Sequence, residues 1–163
     1  MTTDLALGHF DFTAWASRRQ VEAAAGLPEE QLTRDFKHAD KSVLGTLVHT
    51  FAADRVWLAR VKGEVPGRFL DPARDMQVSV LQNEWPAVHA GWAEFLKSQP
   101  NEAFLEKISY KDLKGNPWET PLWQIVLHVV NHASHHRGQV SAMLRAMGHT
   151  PPGVDLIFYY RER

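Results

Sequence analysis

No cysteine occurs in the 163 residues. That absence excludes disulfides, thiolate zinc sites, iron–sulfur clusters and a Cys nucleophile carried by the chain. Net charge is equally scarce: 18 Lys and Arg face 19 Asp and Glu, leaving −1. Without a basic excess, neither nucleic acid nor an anionic membrane surface has an electrostatic hold on the chain as a whole. Long apolar runs are missing as well. The most apolar stretch, Val43 to Val61, is interrupted by His49, Asp54, Arg55 and Arg60, so nothing reads as a membrane span. Repeats, low-complexity tracts and blocks of like charge are absent. The opening Met1-Thr2-Thr3-Asp4 carries no basic stretch. The expectation is a soluble, cytoplasmic protein with neither nucleic acid nor membrane as partner. The length suits a single domain over 1–163, large enough to bury its own core. Against this plain background, nine His and six Trp are the unusual counts.

Apolar spacing and capping residues divide the chain into four long helices. The first runs from about Thr3 to Ala25, capped by Thr3 or Asp4 and ended by Gly26 and Pro28. The second begins behind Ser42, an N-cap residue, and ends near Gly63. Segment 64–77 holds Pro66, Gly67 and Pro72 and reads as a loop. The third helix covers Val78 to Gln99, with Pro86 expected to kink it or mark its true start. Segment 106–120 differs: Ile108, Tyr110 and Trp118 flank Lys114-Gly115-Asn116, which predicts a short hairpin or extended excursion.

The fourth helix has the clearest signals. Thr120 is its expected N-cap and Pro121 its first residue. Leu122, Ile125, Val126, Val129, Ala133, Val140, Met143, Leu144 and Met147 make one apolar stripe, closed by Gly148. The tail from Asp155 to Arg163 is expected to add a short helical turn. The whole predicts an all-α fold: a four-helix bundle with a small β-hairpin or extended insert before the last helix.

The fourth helix also carries His128, His132, His135 and His136. At 100° per residue, His132 and His136 lie about 40° apart, one turn from each other on the apolar face. Two imidazoles turned toward a core need polar partners. A divalent cation such as zinc, nickel, copper or iron satisfies both, and so does ordinary hydrogen bonding within the core. A third ligand has to come from another helix. His49 is the best placed, with small neighbours Gly45, Thr46, Ala52 and Ala53 around it. His9, His38, His89 and His149 stand isolated and read as structural. His128, one turn before His132, is the catalytic candidate, placed to contact substrate or order a ligand. Asn131 and Gln139 are candidate hydrogen-bonding partners. Arg137 is expected to pair with Asp155, and Gly138 to let a neighbouring helix approach.

Three stretches resemble the DinB/YfiT-like family, whose name is shared with an unrelated translesion DNA polymerase. One is Thr46-Leu47-Val48-His49 followed by Asp54-Arg55-Val56-Trp57-Leu58-Ala59-Arg60. The second is His128-Val129-Val130-Asn131-His132 with His135-His136-Arg137-Gly138-Gln139. The third is Leu144-Arg145 to Gly148, with two prolines and Asp155 behind it. The resemblance implies an up–down–down–up four-helix bundle, often a homodimer. It implies a metal held by three histidines, here His49, His132 and His136. It also implies thiol-dependent transferase or isomerase chemistry on a small-molecule substrate.

Three neutral imidazoles leave a divalent ion its full charge, which lowers the pKa of a coordinated thiol or water. With no Cys on the chain, a thiolate must arrive on a small thiol co-substrate. Zinc or nickel is the expected metal, ahead of iron or manganese. A metal-dependent hydrolase and a non-catalytic, metal-stabilised dimeric binding protein are the alternatives. The second helix shows a further apolar face of Leu44, Leu47, Val48, Phe51 and Leu58, expected to be covered by the bundle and by a partner copy.

Overall fold

The computed structural model describes residues 1–67 and 69–162. Four long helices carry the fold: α1 (Thr3–Ala25), α3 (Val43–Val61), α5 (Val78–Lys97) and α6 (Leu122–Ala146). Three short ones join them: α2 (Glu29–Leu32), α4 (Pro72–Asp75) and α7 (Leu156–Arg161). A 3-10 turn (Asn101–Leu105) leads into an antiparallel hairpin of β1 (Lys107–Lys111) and β2 (Pro117–Pro121).

The helix directions follow from side-chain pairs. Phe51 meets Trp85, and Leu58 lies against Gly91, so α3 and α5 run parallel. His49 meets His132 while Trp57 meets His128, so α3 and α6 run antiparallel. Phe12 lies under Arg137 and Gln20 reaches Ser141, so α1 and α6 run parallel. Phe10 packs on Trp92, and Ser17 and Val21 share a pocket with Leu81 and Trp85, so α1 and α5 run antiparallel. The order is up–down–down–up, and each helix packs mainly on two others: α1 and α3 both touch α5 and α6.

Most elements start and stop where the residues demand. Ser42 caps α3 by accepting from the Gly45 N–H at 3.0 Å. Gly148, at φ +84°, turns the chain after α6 in the left-handed region that glycine tolerates. In the hairpin, Asp112 accepts from the backbone N–H groups of Lys114 and Asn116 and from the Asn116 and Trp118 side chains. Those bonds, led by Asn116, hold its carboxyl down to about 2.

Several expectations are corrected. Thr2, not Thr3 or Asp4, caps α1 by accepting from the Leu5 N–H. Helix α5 starts at Val78 and passes through Pro86, so the proline does not mark its start. Segment 64–77 is interrupted by the single turn α4. Thr120 does not cap α6: β2 claims it opposite Ile108, and its hydroxyl lies 3.2 Å from the Tyr110 hydroxyl. Gly138 has open space above it; the close helix approach is at Gly91, where the Leu58 side chain lies against the helix. The apolar face of α3 at Leu44, Leu47, Val48 and Phe51 is already buried within one chain. There it packs among Val21, Leu81, Trp85, Val140, Met143 and Leu144 of α1, α5 and α6, while Leu58, the last residue of the expected face, is half-buried. Arg163, at the end of the expected tail helix, lies outside the described residues.

The core forms around two large groups of apolar side chains, with a smaller third of Phe12, Ala16 and Tyr159. One gathers Leu44, Phe51, Leu81, Trp85 and Leu144; the other gathers Phe10, Trp92, Leu96, Phe104 and Ile125. Trp92 is fully buried and its indole N–H donates to the Asp54 carbonyl at 3.1 Å. Truncating it removes packing and the indole's bond to that carbonyl. In urea unfolding, Trp92→Ala is expected to cost about 3–5 kcal/mol. Trp118→Ala, at an exposed hairpin position, is expected to stay within about 0.5 kcal/mol. Similar losses for both would show that Trp92 is not a keystone of the core.

Candidate metal centre

The antiparallel seam of α3 and α6 brings His49, His132 and His136 together. His132 Nε2 lies 3.1 Å from Nε2 of His49 and 3.1 Å from Nε2 of His136. His136 is buried, and His49 and His132 are half-buried. The pair on α6 arises as the spacing predicts, because residues four apart share a face. His49 reaches them because its own face of α3 packs on α6.

The outer ring nitrogens of His49 and His136 face oxygens on the other side. His136 Nδ1 lies 2.7 Å from Gln139 Oε1 and 3.7 Å from Asp40 Oδ2. His49 Nδ1 lies 3.5 Å from Asp40 Oδ1. Facing oxygen acceptors, these Nδ1 atoms carry the ring protons, and the Nε2 atoms keep their lone pairs. His132 Nε2 can offer a proton to one of its two neighbours but not to both. Mutual hydrogen bonding therefore leaves the cluster unsatisfied, whereas one cation satisfies all three nitrogens. The spacing fits that role. Donors bonded at about 2.0–2.1 Å with tetrahedral angles lie about 3.3 Å apart. Oxygen acceptors behind the ligating rings are the usual means of fixing tautomer and orientation.

Electrostatics keep the rings ready to ligate. Burial, then the neighbouring His136, His49, His128 and His135, push the His132 imidazole down to about 3. Burial also lowers His136, against the upward pull of Gln139 and Asp40. Both are neutral at pH 7, the form that binds metal.

His128 stands one turn along α6 with its ring 5.8 Å from that of His132 and edge-on to Trp57 at 5.1 Å. Desolvation at that contact and the Arg60 charge lower its pKa. It is exposed at the rim, outside the trio of ring nitrogens. His135 is exposed and borders His136 from outside. His89, His38 and His149 lie away from the trio. His89 stacks on Trp85 near Asp54, His38 touches the Met143 sulfur, and His149 meets Gln31.

Of the expected helpers, Gln139 meets the His136 ring, while Asn131 turns back and donates to its own helix at the Leu127 carbonyl. Arg137 forms no ion pair with Asp155 among the described residues. Buried, it donates to Ser134 and lies over the Phe12 ring, and burial lowers its pKa to about 10. Asp40 is the residue that sequence reasoning missed. It sits in a loop whose Lys37 and Lys41 both take φ +62°, without a glycine to announce the turn. Such left-handed non-glycine residues mark a loop held in place by its surroundings. Gly45 makes room for it, since a Cβ there would collide with the Asp40 carbonyl.

The DinB family model matches residues 1–163. Protein DinB of Bacillus subtilis strain 168 is 21% identical over 164 residues, covering 96% of this chain and 94% of that protein. The chain belongs to the DinB family, as its histidine-bearing stretches suggest.

A pH dependence follows from His132. The unfolded chain takes up its proton at about pH 6.5, whereas the folded protein refuses it until about pH 3. Acid thus favours the unfolded chain, and stability present at pH 7 declines as pH falls through that window. In chelator, urea-unfolding stability of the unaltered protein is expected to fall more steeply from about pH 7 to 5 than that of His132→Gln. Equal slopes would assign the acid sensitivity to other groups.

Proposed function

We propose that this chain is a metal-dependent enzyme, acting as one domain over 1–163, that transfers a small-molecule thiol to an electrophilic substrate. His49, His132 and His136 are its ligands, with zinc or nickel the preferred ion and iron or manganese further choices. The observation that carries this reading is the convergence of three Nε2 atoms whose lone pairs cannot satisfy one another. Three protein donors also leave coordination positions open, as catalytic sites do and closed structural sites do not.

A divalent cation bound there supplies charge that favours the thiolate form of a thiol at neutral pH. The chain's own residues do the rest. Asp40 and Gln139 hold the His49 and His136 rings so that their Nε2 atoms face inward. His128, kept neutral by desolvation and by Arg60, accepts the proton that leaves the incoming thiol. The sulfur then attacks the electrophilic carbon, and His128 returns its proton to the leaving group. The sulfur must come from a co-substrate, because the chain has no cysteine. Action in the cytoplasm and pairing into a homodimer complete the reading. The dimer contact lies elsewhere than the apolar face of α3 that the bundle itself covers.

Metal analysis of untagged protein, followed by thiol-transfer assays with bacillithiol, mycothiol or glutathione, tests this reading. His136→Ala is expected to abolish metal loading and turnover together, while His135→Ala keeps the metal. Asp40→Asn is expected to weaken metal affinity by about 10-fold. Metal-loaded protein that ignores thiols but hydrolyses an ester or amide would make it a hydrolase. Loading without any turnover would make it a metal-stabilised binding protein.

A further inference from the structure

Arg60 is a buried arginine whose setting ion pairing does not explain. It is 7% exposed, with its guanidinium 4.5 Å from the Trp57 ring centre and 4.9 Å from that of Tyr110. Its Nε is buried without a hydrogen-bond partner. Among the described residues no carboxylate lies within ion-pair distance of it. Arg19, Arg55 and Arg74, by contrast, reach Glu162, Asp75 and Glu84 respectively. Asp112 acts on Arg60 through space, but its oxygens are engaged by Lys114, Asn116 and Trp118. The two rings lie against the guanidinium, and neither replaces the paired oxygens that a buried guanidinium fork is built to grip.

This side chain lines a groove of about 740 Å³ between the end of α3 and the hairpin. Tyr110, Lys111, Trp118 and Val65 are among its walls, with Glu64 and Glu119 also facing it. The groove is linked to the histidine cluster by a row of rings. Trp57 touches Arg60 on one side and His128 on the other, and His128 borders His132. Arg60 follows His49 by eleven positions on α3, about 16 Å along the helix axis.

We propose that this groove is a subsite for a carboxylate, gripped by the Arg60 guanidinium, on an elongated organic molecule whose far end reaches the histidine cluster. A single charge suits it better than a phosphate dianion, since Glu64 and Glu119 repel additional negative charge. The apolar walls of Trp118 and Val65 suit the organic body of such a molecule. The carboxylate arrives either on the thiol or on the electrophile. The proposal shares the reading of the histidine cluster as the reactive end, but carboxylate binding at Arg60 is measurable without turnover.

The test is calorimetric titration of the unaltered, full-length protein, with and without metal. Glutathione is compared with its diethyl ester, and 4-(chloromethyl)benzoate with its methyl ester. The free acid of at least one pair is expected to bind about 10- to 100-fold more tightly than its ester. Preference within the glutathione pair places the carboxylate on the thiol; preference within the benzoate pair places it on the electrophile. Arg60→Gln is expected to erase that preference, and Arg60→Lys to restore part of it. Because the ester comparison uses unaltered protein, a variant that misfolds leaves the result readable. Equal binding of acid and ester in both pairs would overturn the subsite and leave Arg60 as a pin against two rings. Preference for the acid in a protein that shows no thiol transfer would uphold the subsite and sink the proposed reaction instead.

Discussion

The α3–α6 seam has to stay closed while holding three imidazoles nose to nose, and much of the molecule serves that requirement. A helix seam is ordinarily sealed by apolar side chains. Here His49, His132 and His136 occupy it, and each is costly there unless its nitrogens are satisfied. The surroundings answer from both ends. Val48, Val129, Ala133 and Val140 seal the neighbouring turns. Asp40 and Gln139 face the outer nitrogens of His49 and His136, which leaves two inward lone pairs that His132 Nε2 cannot serve together. The arrangement is one that a cation completes.

Holding α3 in that register falls to α5. Parallel neighbours cannot be joined by a tight turn, so the chain crosses back through segment 62–77 before α5 begins. Asp75, buried in that crossover, receives Arg55 from α3 and Arg74 from its own turn, and Arg74 also reaches Glu84 on α5. The contacts with Arg55 and Arg74, and the Asp71 N–H, lower the Asp75 carboxyl despite the opposing effect of burial. Deeper in the bundle, the Trp85 indole donates to the Asp54 carboxylate and the Trp92 indole to the Asp54 carbonyl, one residue of α3 holding two of α5. The motif that places His49 therefore also contains, five residues later, the residue that fixes its helix against the next one.

The parts of this molecule legible in the sequence are those governed by periodicity. The α6 stripe and the 132/136 pair follow from 3.6-residue spacing, and Ser42 and Gly148 mark ends by local chemistry alone. The hairpin announced itself through Gly115, which takes φ +87°. Failures cluster where a tertiary partner outbid a local rule. Thr120 had the makings of a cap, but strand pairing with Ile108 took it. Gly138 looked like a contact point, but the helix face above it is open, and Gly91 on another helix does that work. Arg137 points off the metal face and calls for a carboxylate such as Asp155, whereas the fold turns it onto Phe12 and Ser134. Asp40 carried no signal at all. Its role depends on two left-handed lysines and on the missing Cβ of Gly45, neither of which a linear reading ranks.

The hairpin is best understood with the seam. A two-stranded ribbon is marginal alone and needs something to pack on. Its inner residues find it: Ile108 joins the second core group, and Tyr110 meets the Trp57 ring edge-on at 5.0 Å. Arg60 then lies against both the Trp57 and Tyr110 rings, which couples the ribbon to the last turn of α3. Trp57 in turn meets His128 on α6. The same indole therefore touches the ribbon, the buried guanidinium and the rim of the histidine cluster. A ribbon that only capped the bundle would need no buried cation at its base, because an apolar side chain there would seal the contact without desolvating a charge. The guanidinium and Tyr110 together make the ribbon one wall of the groove beside the last turn of α3, so the insert before α6 shapes that groove as well as capping the bundle.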